Sequence, residues 1–302
     1  MICEGDTAVL AAITEKRNLL LAGQPHDHIR PLLIQGGGFM CGAYGVGAAI
    51  ALEQRSYRDA FTYLVGVSSG SPIMAHFAAG TSRYAADVLA DDCTSRDFFN
   101  KWRLWHQVNV EHLVKLARYH KTHSVDANAA LAHGSELYFG AAEHATAEPV
   151  LLRPHDEQSF FECLRASIHL QNVSPQKVYV DGVRYVDGGF ASPHVIAHAV
   201  AKLQPTHVLL ITNNNQETLS LPFIERICNQ TIFRPRLSRK LVAVINRRIA
   251  VRDEALAAVR ESGVPSLFVW GDGSISRMEQ SSSKIRETIE ASRMWWHDLL
   301  GK

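Results

Sequence analysis

The sequence predicts an α/β fold with a mainly parallel central sheet, on three observations. Short apolar runs at residues 30–35, 61–65 and 207–212 are typical of buried strands. The segment 42–54 between the first two runs is rich in small and apolar residues, as expected of a helix packed closely on a sheet. The first run ends in three glycines, and the second leads into a glycine-flanked serine. Strands that alternate with helices in this way imply parallel strands joined by right-handed crossovers.

The remaining elements follow in chain order. Residues 7–21 predict a lead-in helix, and residues 91–154 predict a mostly helical insertion that caps one end of the sheet, with no strand before 150–152. Beyond the insertion we expect a helix at 160–170, a hairpin over 177–186 that turns at Asp181-Gly182, and a second helix at 195–203. These are followed by helical structure in a basic region at 234–252, an edge strand at 266–270 and a C-terminal helix at 283–300.

Composition and charge bound the class of protein. The chain has 302 residues, of which 46% are hydrophobic and 20% charged, and its net charge is +1, so nothing favours a nucleic-acid partner. The five cysteines show no pairing or metal-ligand spacing, which indicates a reducing compartment. The N-terminus carries acids instead of a signal peptide's basic residues, and no window reaches the roughly 18 apolar residues of a membrane span. We therefore expect a cytoplasmic protein.

Residues 63–72, Tyr-Leu-Val-Gly-Val-Ser-Ser-Gly-Ser-Pro, predict a nucleophile elbow. In such an elbow, a sharp strand-to-helix turn exposes the hydroxyl of a serine, here Ser68. Gly66 and Gly70 fit this interpretation because a Cβ at either position would crowd the neighbouring strand or helix. The helix that follows would add a dipole favourable to negative charge.

Two further turns complete a candidate catalytic group. A serine hydroxyl needs a base to take its proton, and Asp187, before Gly188 and Gly189, could do so directly. The glycines after the first strand leave backbone N–H groups accessible for an oxyanion, and we assign this oxyanion hole to residues 36–38, Gly36, Gly37 and Gly38. We expect all three turns at the carboxyl ends of adjacent strands, where ligand crevices form.

The histidines offer weaker candidates. His194 follows Asp187 closely enough to line the same crevice as a pocket wall or substrate contact, against the alternative of a structural cap. His76 lies two turns along the helix behind Ser68, so we expect its side chain to point away from the Ser68 Oγ, and we expect His198 to be packed. Histidine spacing in the insertion is irregular, which predicts no metal site.

These motifs together resemble the patatin-like phospholipases, in their bacterial form. The resemblance rests on Gly-Gly-Gly-Phe-Met-Cys-Gly at 36–42, Gly-Val-Ser-Ser-Gly at 66–70, Leu-Arg-Ala-Ser-Ile at 164–168 and the run 180–189 that ends in Asp-Gly-Gly. It implies a three-layer α/β/α fold in a single domain over residues 1–302, with core motifs in 31–212 and a C-terminal helical region over 221–302. It also implies a hydrolase of lipid metabolism, in which a Ser68–Asp187 dyad cleaves fatty-acyl esters of phospholipids or lysophospholipids without a metal or organic cofactor.

The sequence departs from the family pattern at one position and leaves two alternatives open. Cys41 stands where the family's glycine turn usually has an arginine that is thought to buttress the loop, and we interpret it as a small hydrophobic residue packed beneath that loop. One alternative is a catalytically impaired module that binds lipid or protein. The other is a Ser-His-Asp esterase, which the order of the acid and the histidines disfavours.

Membrane binding and assembly are less constrained. The basic region 234–252, with Trp295 and Trp296, could support peripheral association with an anionic lipid surface, although such tryptophans are more often core residues. The oligomeric state is left open.

Overall fold

The fold is organised around a nine-stranded mixed sheet. It is seen in a computed structural model that describes residues 1–100, 108–170, 176–191, 193–213 and 237–301. The strands are β1 (Ile2–Gly5), β2 (Pro31–Gln35), β3 (Tyr63–Val67), β4 (Glu136–Glu143), β5 (Pro149–Leu152), β6 (Val178–Val180), β7 (Val183–Asp187), β8 (His207–Thr212) and β9 (Ser266–Trp270). They lie in the order β1-β9-β8-β2-β3-β4-β7-β6, with β5 paired to β4.

Helices lie between most of these strands. The α-helices of the described ranges are α1 (Ala8–Leu21), α2 (Gly42–Gln54), α3 (Gly70–Ala79), α4 (Ser82–Asp87), α5 (Val110–Tyr119), α6 (Ala127–Ala132), α7 (Glu157–Ser167), α8 (Gly188–Ala191), α9 (Val195–Leu203), α10 (Arg239–Asn246), α11 (Arg248–Glu261) and α12 (Ser282–Leu300). Short 3-10 turns occupy Phe39–Cys41 and Arg58–Ala60, and a π-helical turn occupies Val88–Asp92.

The centre of the sheet is parallel and covered on both faces. Strands β9, β8, β2, β3 and β4 run parallel to one another, whereas β1, β5, β6 and β7 make only antiparallel pairs. Leu33 belongs to a large apolar cluster that includes residues of α2, α3, α7 and α12. Leu32 and Ile34 belong to a second cluster with α9 and α11 on the other face. The protein is therefore the three-layer α/β/α structure that the sequence predicts.

Most of the predicted elements are present. The lead-in helix, the strands at 30–35 and 207–212, the helices at 42–54 and 195–203, and the C-terminal helix are confirmed within a residue or so. The strand predicted at 61–65 is shifted to Tyr63–Val67, and the helix predicted at 160–170 to Glu157–Ser167. The predicted hairpin turns where expected, with φ of 50° at Asp181 and 76° at Gly182. The described part of the basic region, 237–252, is helical from Arg239 to Asn246 and again from Arg248, and Arg234 and Arg236 lie outside the described residues.

Strand β4 is missing from the sequence prediction, which placed no strand in the insertion before residue 150. It runs parallel to β3 and is buried along most of its length. Its Phe-Gly-Ala-Ala centre lacks the β-branched residues that mark strands. Packing explains the glycine, because a Cβ on Gly140 would lie 2.6 Å from a Val195 methyl and 2.9 Å from a Val67 methyl.

The sheet edge next to β9 also differs from prediction. We expected β9 to be an edge strand, but β1 pairs antiparallel along its outer side. The segment that forms β1 contains Glu4, a residue type that is depleted in strands. The Glu4 carboxylate accepts a hydrogen bond from the Trp270 indole at 3.1 Å and pairs with Arg260, so its charge is accommodated at the edge.

In the part of the chain that the structure describes, no helix is both long and apolar enough to cross a membrane.

Candidate active site

Ser68 occupies a strained turn between β3 and α3. Its φ is 55°, a left-handed conformation that residues with a Cβ rarely adopt. Both flanking glycines are required: a Cβ on Gly66 would lie 2.5 Å from the Ser71 Cα, and one on Gly70 would overlap the Gln35 carbonyl oxygen. This is the geometry of a nucleophile elbow.

The glycine loop after β2 lies directly against Ser68. A Cβ on Gly37 would lie 2.5 Å from the Ser68 Cβ and 3.0 Å from the Ser68 Oγ, so the Gly37 backbone packs against the Ser68 side chain. Gly36 differs from the prediction, because its N–H continues the β2–β8 ladder and donates to the Ile211 carbonyl at 2.9 Å. A bonded N–H cannot also bind an oxyanion, so Gly36 anchors the loop, and the candidate donors are reduced to Gly37 and Gly38.

A buried amide pair fixes the start of this loop. Gln35 and Asn213 are both fully buried, and the Gln35 Nε2 donates to the Asn213 Oδ1 at 2.9 Å. The Asn213 Nδ2 in turn donates to the Gly36 carbonyl at 2.5 Å. Asn213 immediately follows β8, so the end of one strand holds the turn that follows its neighbour. Neither residue is recognisable as part of the site from the sequence, because the two lie 178 positions apart.

The segment after β9 supports the far side of the loop. The Met40 N–H donates to the Arg277 carbonyl at 3.3 Å, and the Cys41 thiol donates to the Ile275 carbonyl at 3.5 Å. Cys41 is buried, and this burial raises the pKa of its thiol to about 11, which keeps it protonated. The interpretation of Cys41 as a small buried residue is therefore confirmed, and in this protein the 275–277 segment contributes the support.

Asp187 ends β7 and is fully buried. Its N–H donates to the His169 carbonyl at 2.9 Å. An ideal Cβ built on Gly189 would lie 3.6 Å from the Asp187 Oδ1 and 3.6 Å from the Ser68 Cβ. The Asp187 Oδ1 and the Ser68 Cβ are therefore separated by no more than twice 3.6 Å.

Asp187 reaches the elbow by a different route from the one predicted. Strand β7 is antiparallel to β4 and separated from β3 by it, so Asp187 does not lie at the carboxyl end of an adjacent parallel strand. The register places Asp187 opposite Ala141 and Val67 opposite Gly140. The Gly188 turn packs on Gly140, whose carbonyl oxygen would lie 2.7 Å from a Cβ at Gly188. Because Gly140 and Gly188 carry no side chains, Asp187 can approach Ser68 across β4.

An apolar cleft opens beside Ser68. Its cavity volume is about 80 Å³, and the unfilled space rises to about 790 Å³ when the part open to solvent is counted. The described lining residues are Phe39, Met40, Gly42, Val46, Ser68, Ser69, Pro72, Ile73, His76, Ala85, Val88, Leu89, Cys93, Phe98, Val108, Val110, Leu113, Ala117, Ile168 and Leu170. Such a lining suits a hydrocarbon chain.

His194 lies elsewhere than predicted, whereas His76 lies along the helix behind Ser68 as expected. His76 lines this cleft, and its Nδ1 lies 3.0 Å from the Thr81 Oγ1. Burial lowers the pKa of His76 to about 3, with nearby His123 adding to the effect, so the ring is neutral. His194 and His198 line a separate, more open cleft beside α11, where the His194 Nε2 lies 4.0 Å from Glu254. Neither is among the described residues of the Ser68 cleft.

Among the described side chains, no three His, Cys, Asp or Glu residues converge as metal ligands would.

The fold and the site define an α/β protein with a nucleophile elbow at the carboxyl end of the central strand β3. A family model described as "Patatin-like phospholipase" matches residues 32–200, which is more than half of the chain. The chain belongs to this family.

Individual relatives share little sequence identity with this chain. A curated relative, "Uncharacterized protein YjjU" of Escherichia coli strain K12, is 24% identical over 191 residues, which cover 61% of this chain and 52% of that protein. The match thus spans about half the length of that relative.

Two solved structures resemble the chain at a coarse level. VipD from Legionella pneumophila matches 89% of this chain and 67% of its own, with a TM-score of 0.39 and 10% identity. Human GIVD cytosolic phospholipase A2, in complex with the inhibitor methyl gamma-linolenyl fluorophosphonate and terbium chloride, matches 98% of this chain and 63% of its own, with a TM-score of 0.42 and 12% identity.

Proposed function

We propose that the protein is a serine acyl hydrolase that cleaves fatty-acyl esters of phospholipids or lysophospholipids. The observation that carries the proposal is the convergence at Ser68: the strained elbow, the Gly37 backbone and the Asp187 turn meet beside an apolar cleft. Family membership supports the same class of reaction.

The reaction proceeds in two halves. The Asp187 carboxylate accepts the Ser68 proton as the Oγ bonds to the ester carbonyl carbon, and the carbonyl oxygen becomes an oxyanion. The N–H groups of Gly37 and Gly38 donate to that oxygen, each worth roughly 3–4 kcal/mol in comparable sites. The C–O bond to the alcohol then breaks, and the alcohol leaves with the proton held by Asp187. Water, deprotonated by Asp187, attacks the acyl-enzyme; the bond from the acyl carbon to the Oγ breaks, Asp187 returns the proton to Ser68, and the fatty acid is released.

The cleft determines the substrate class within this proposal. Its described lining is mostly aliphatic and aromatic, so it would hold the acyl chain, and the head group would remain towards solvent. Peripheral association with lipid surfaces and a cytoplasmic location remain predictions.

The proposal is tested with Ser68→Ala and Asp187→Asn on a chromogenic acyl ester and a lysophospholipid. Each variant should lose at least about a thousandfold in kcat/KM, because the nucleophile and its base act as a unit. Ser283→Ala and Asp181→Asn are matched controls: both positions are exposed, and Asp181 lies in the same hairpin as Asp187. Both controls should retain wild-type activity.

Two results would contradict the proposal. Turnover retained by either Ser68→Ala or Asp187→Asn would remove that residue from the mechanism. Wild-type protein that binds lipid vesicles but hydrolyses neither substrate would favour the non-catalytic module instead.

A further inference from the structure

One face of α3 forms a wall of the Ser68 cleft. Ser69, Pro72, Ile73 and His76 recur at intervals of three and four residues, and all four line the cleft. With a rise of 1.5 Å per residue, His76 lies roughly 10 Å along the helix from Ser69. The helix therefore places one imidazole well away from the reacting serine and against the space proposed for an acyl chain.

The His76 ring is held in one orientation. We assign the Nδ1–H tautomer, in which the Thr81 hydroxyl donates to the His76 carbonyl at 3.4 Å and its oxygen accepts from the Nδ1–H at 3.0 Å. The Nε2 is then the unprotonated nitrogen, an acceptor. No residue in the described ranges hydrogen-bonds to this Nε2, and the side chain is only 3% exposed.

The surroundings of His76 make this acceptor unusual. Apart from Ser68 and Ser69 at the reacting end and Cys93, the other described lining residues are apolar or glycine. Burial raises the pKa of the Cys93 thiol to about 12, so it carries no charge. A wholly apolar ligand would cover the His76 Nε2 without pairing it, which costs free energy.

We propose that His76 is a specificity determinant that accepts a hydrogen bond from a hydroxyl group midway along the acyl chain. The preferred substrates are then esters of hydroxylated fatty acids. This inference rests on the proposed function, because it requires the cleft to hold the acyl chain.

The test measures binding without turnover. Dissociation constants of stearate and of hydroxystearates that differ in hydroxyl position are measured by calorimetry with the Ser68→Ala variant. A mid-chain hydroxyl should tighten binding about three- to tenfold, the value of one net hydrogen bond. A hydroxyl next to the carboxyl group should give no such gain.

Second substitutions in the Ser68→Ala background assign the effect to His76. His76→Phe should abolish the preference, and Thr81→Val, at a partly exposed position, should at least halve it by releasing the ring tautomer. His155→Phe, at a mainly exposed histidine, is the matched control and should keep it.

Equal binding of stearate and every hydroxystearate, or a preference that survives both His76→Phe and Thr81→Val, would overturn the inference. Failure of the proposed hydrolysis is distinguishable, because it would appear as inactive wild-type protein with the fatty-acid preference intact.

Discussion

At the scale of single residues, the contact between Gly37 and Ser68 is the most restrictive feature of the site. A methyl group at position 37 would have to displace the serine, because it would lie 2.5 Å from the Ser68 Cβ. Gly37→Ala should therefore lower kcat/KM by about a hundredfold or more through loss of oxyanion alignment. Gly134→Ala is the control, since no atom lies within 4 Å of its added methyl. Equal kcat/KM values for the two variants would show that the Gly37 backbone does not contribute to catalysis.

His76 also predicts how stability depends on pH. Its pKa is about 3 in the folded protein against 6.5 for a free histidine, so the unfolded chain binds the proton first as pH falls. Stability should decrease below about pH 6.5, by ~2 kcal/mol between about pH 7 and pH 5 from this group alone. Urea unfolding of wild type and His76→Phe isolates the contribution, because the other titrating groups are common to both. Parallel pH profiles would contradict the assignment.

The sequence identifies some site residues and cannot identify others. Ser68, Gly66, Gly70 and Asp187 are recognisable because the motifs constrain neighbours within a few positions. The role of Gly36 depends on a hydrogen bond to Ile211 in a strand far along the chain. The sequence places His76 along the helix behind Ser68, but its place in the cleft depends on which side of α3 the insertion covers.

At the scale of elements, α2 and α12 form an unusually close pair. A Cβ on Gly47 would lie 2.6 Å from the Ser292 Cβ, and the Ser292 hydroxyl donates to the Tyr44 carbonyl at 2.7 Å. Trp296 on α12 is fully buried in the same core. Trp296 therefore cannot act as a membrane anchor, and its role is to hold α12 in place.

Truncating this side chain should destabilise the protein. Trp296→Ala should lower the free energy of unfolding by about 3–5 kcal/mol, because it opens a large cavity in a close-packed core. Met294→Ala, at a side chain that is 50% exposed on the same helix, should change it by no more than about 0.5 kcal/mol. Urea denaturation measures both. A loss below about 1 kcal/mol for Trp296→Ala would mean that α12 contributes little to the core.

Strand β4 shows why element prediction fails in a particular place. Its Gly140, Ala141 and Ala142 are poor strand formers by propensity. Small residues are nevertheless needed there, because α9 and the Gly188 turn pack directly on the strand. Tertiary packing determines the conformation of this segment, and the packing partners cannot be identified from a single sequence.

At the scale of the whole molecule, hydrophobic runs and turn residues were sufficient to predict the parallel core. Strands β2, β3 and β8 are fully or largely buried, so their apolar runs stand out from the flanking segments. The order of strands was not predictable in the same way. It depends on β4 and on the antiparallel return of β7, which bring Asp187 to Ser68 over Gly140.

The central claim, that Ser68 is a nucleophile activated by Asp187, is tested most directly by labelling with an alkyl fluorophosphonate. Intact mass and peptide mapping of the wild-type protein should show one adduct, on Ser68, because only an activated serine displaces fluoride rapidly. Asp187→Asn should slow labelling by at least about a hundredfold. An adduct on another residue, or an unchanged labelling rate in Asp187→Asn, would contradict the account.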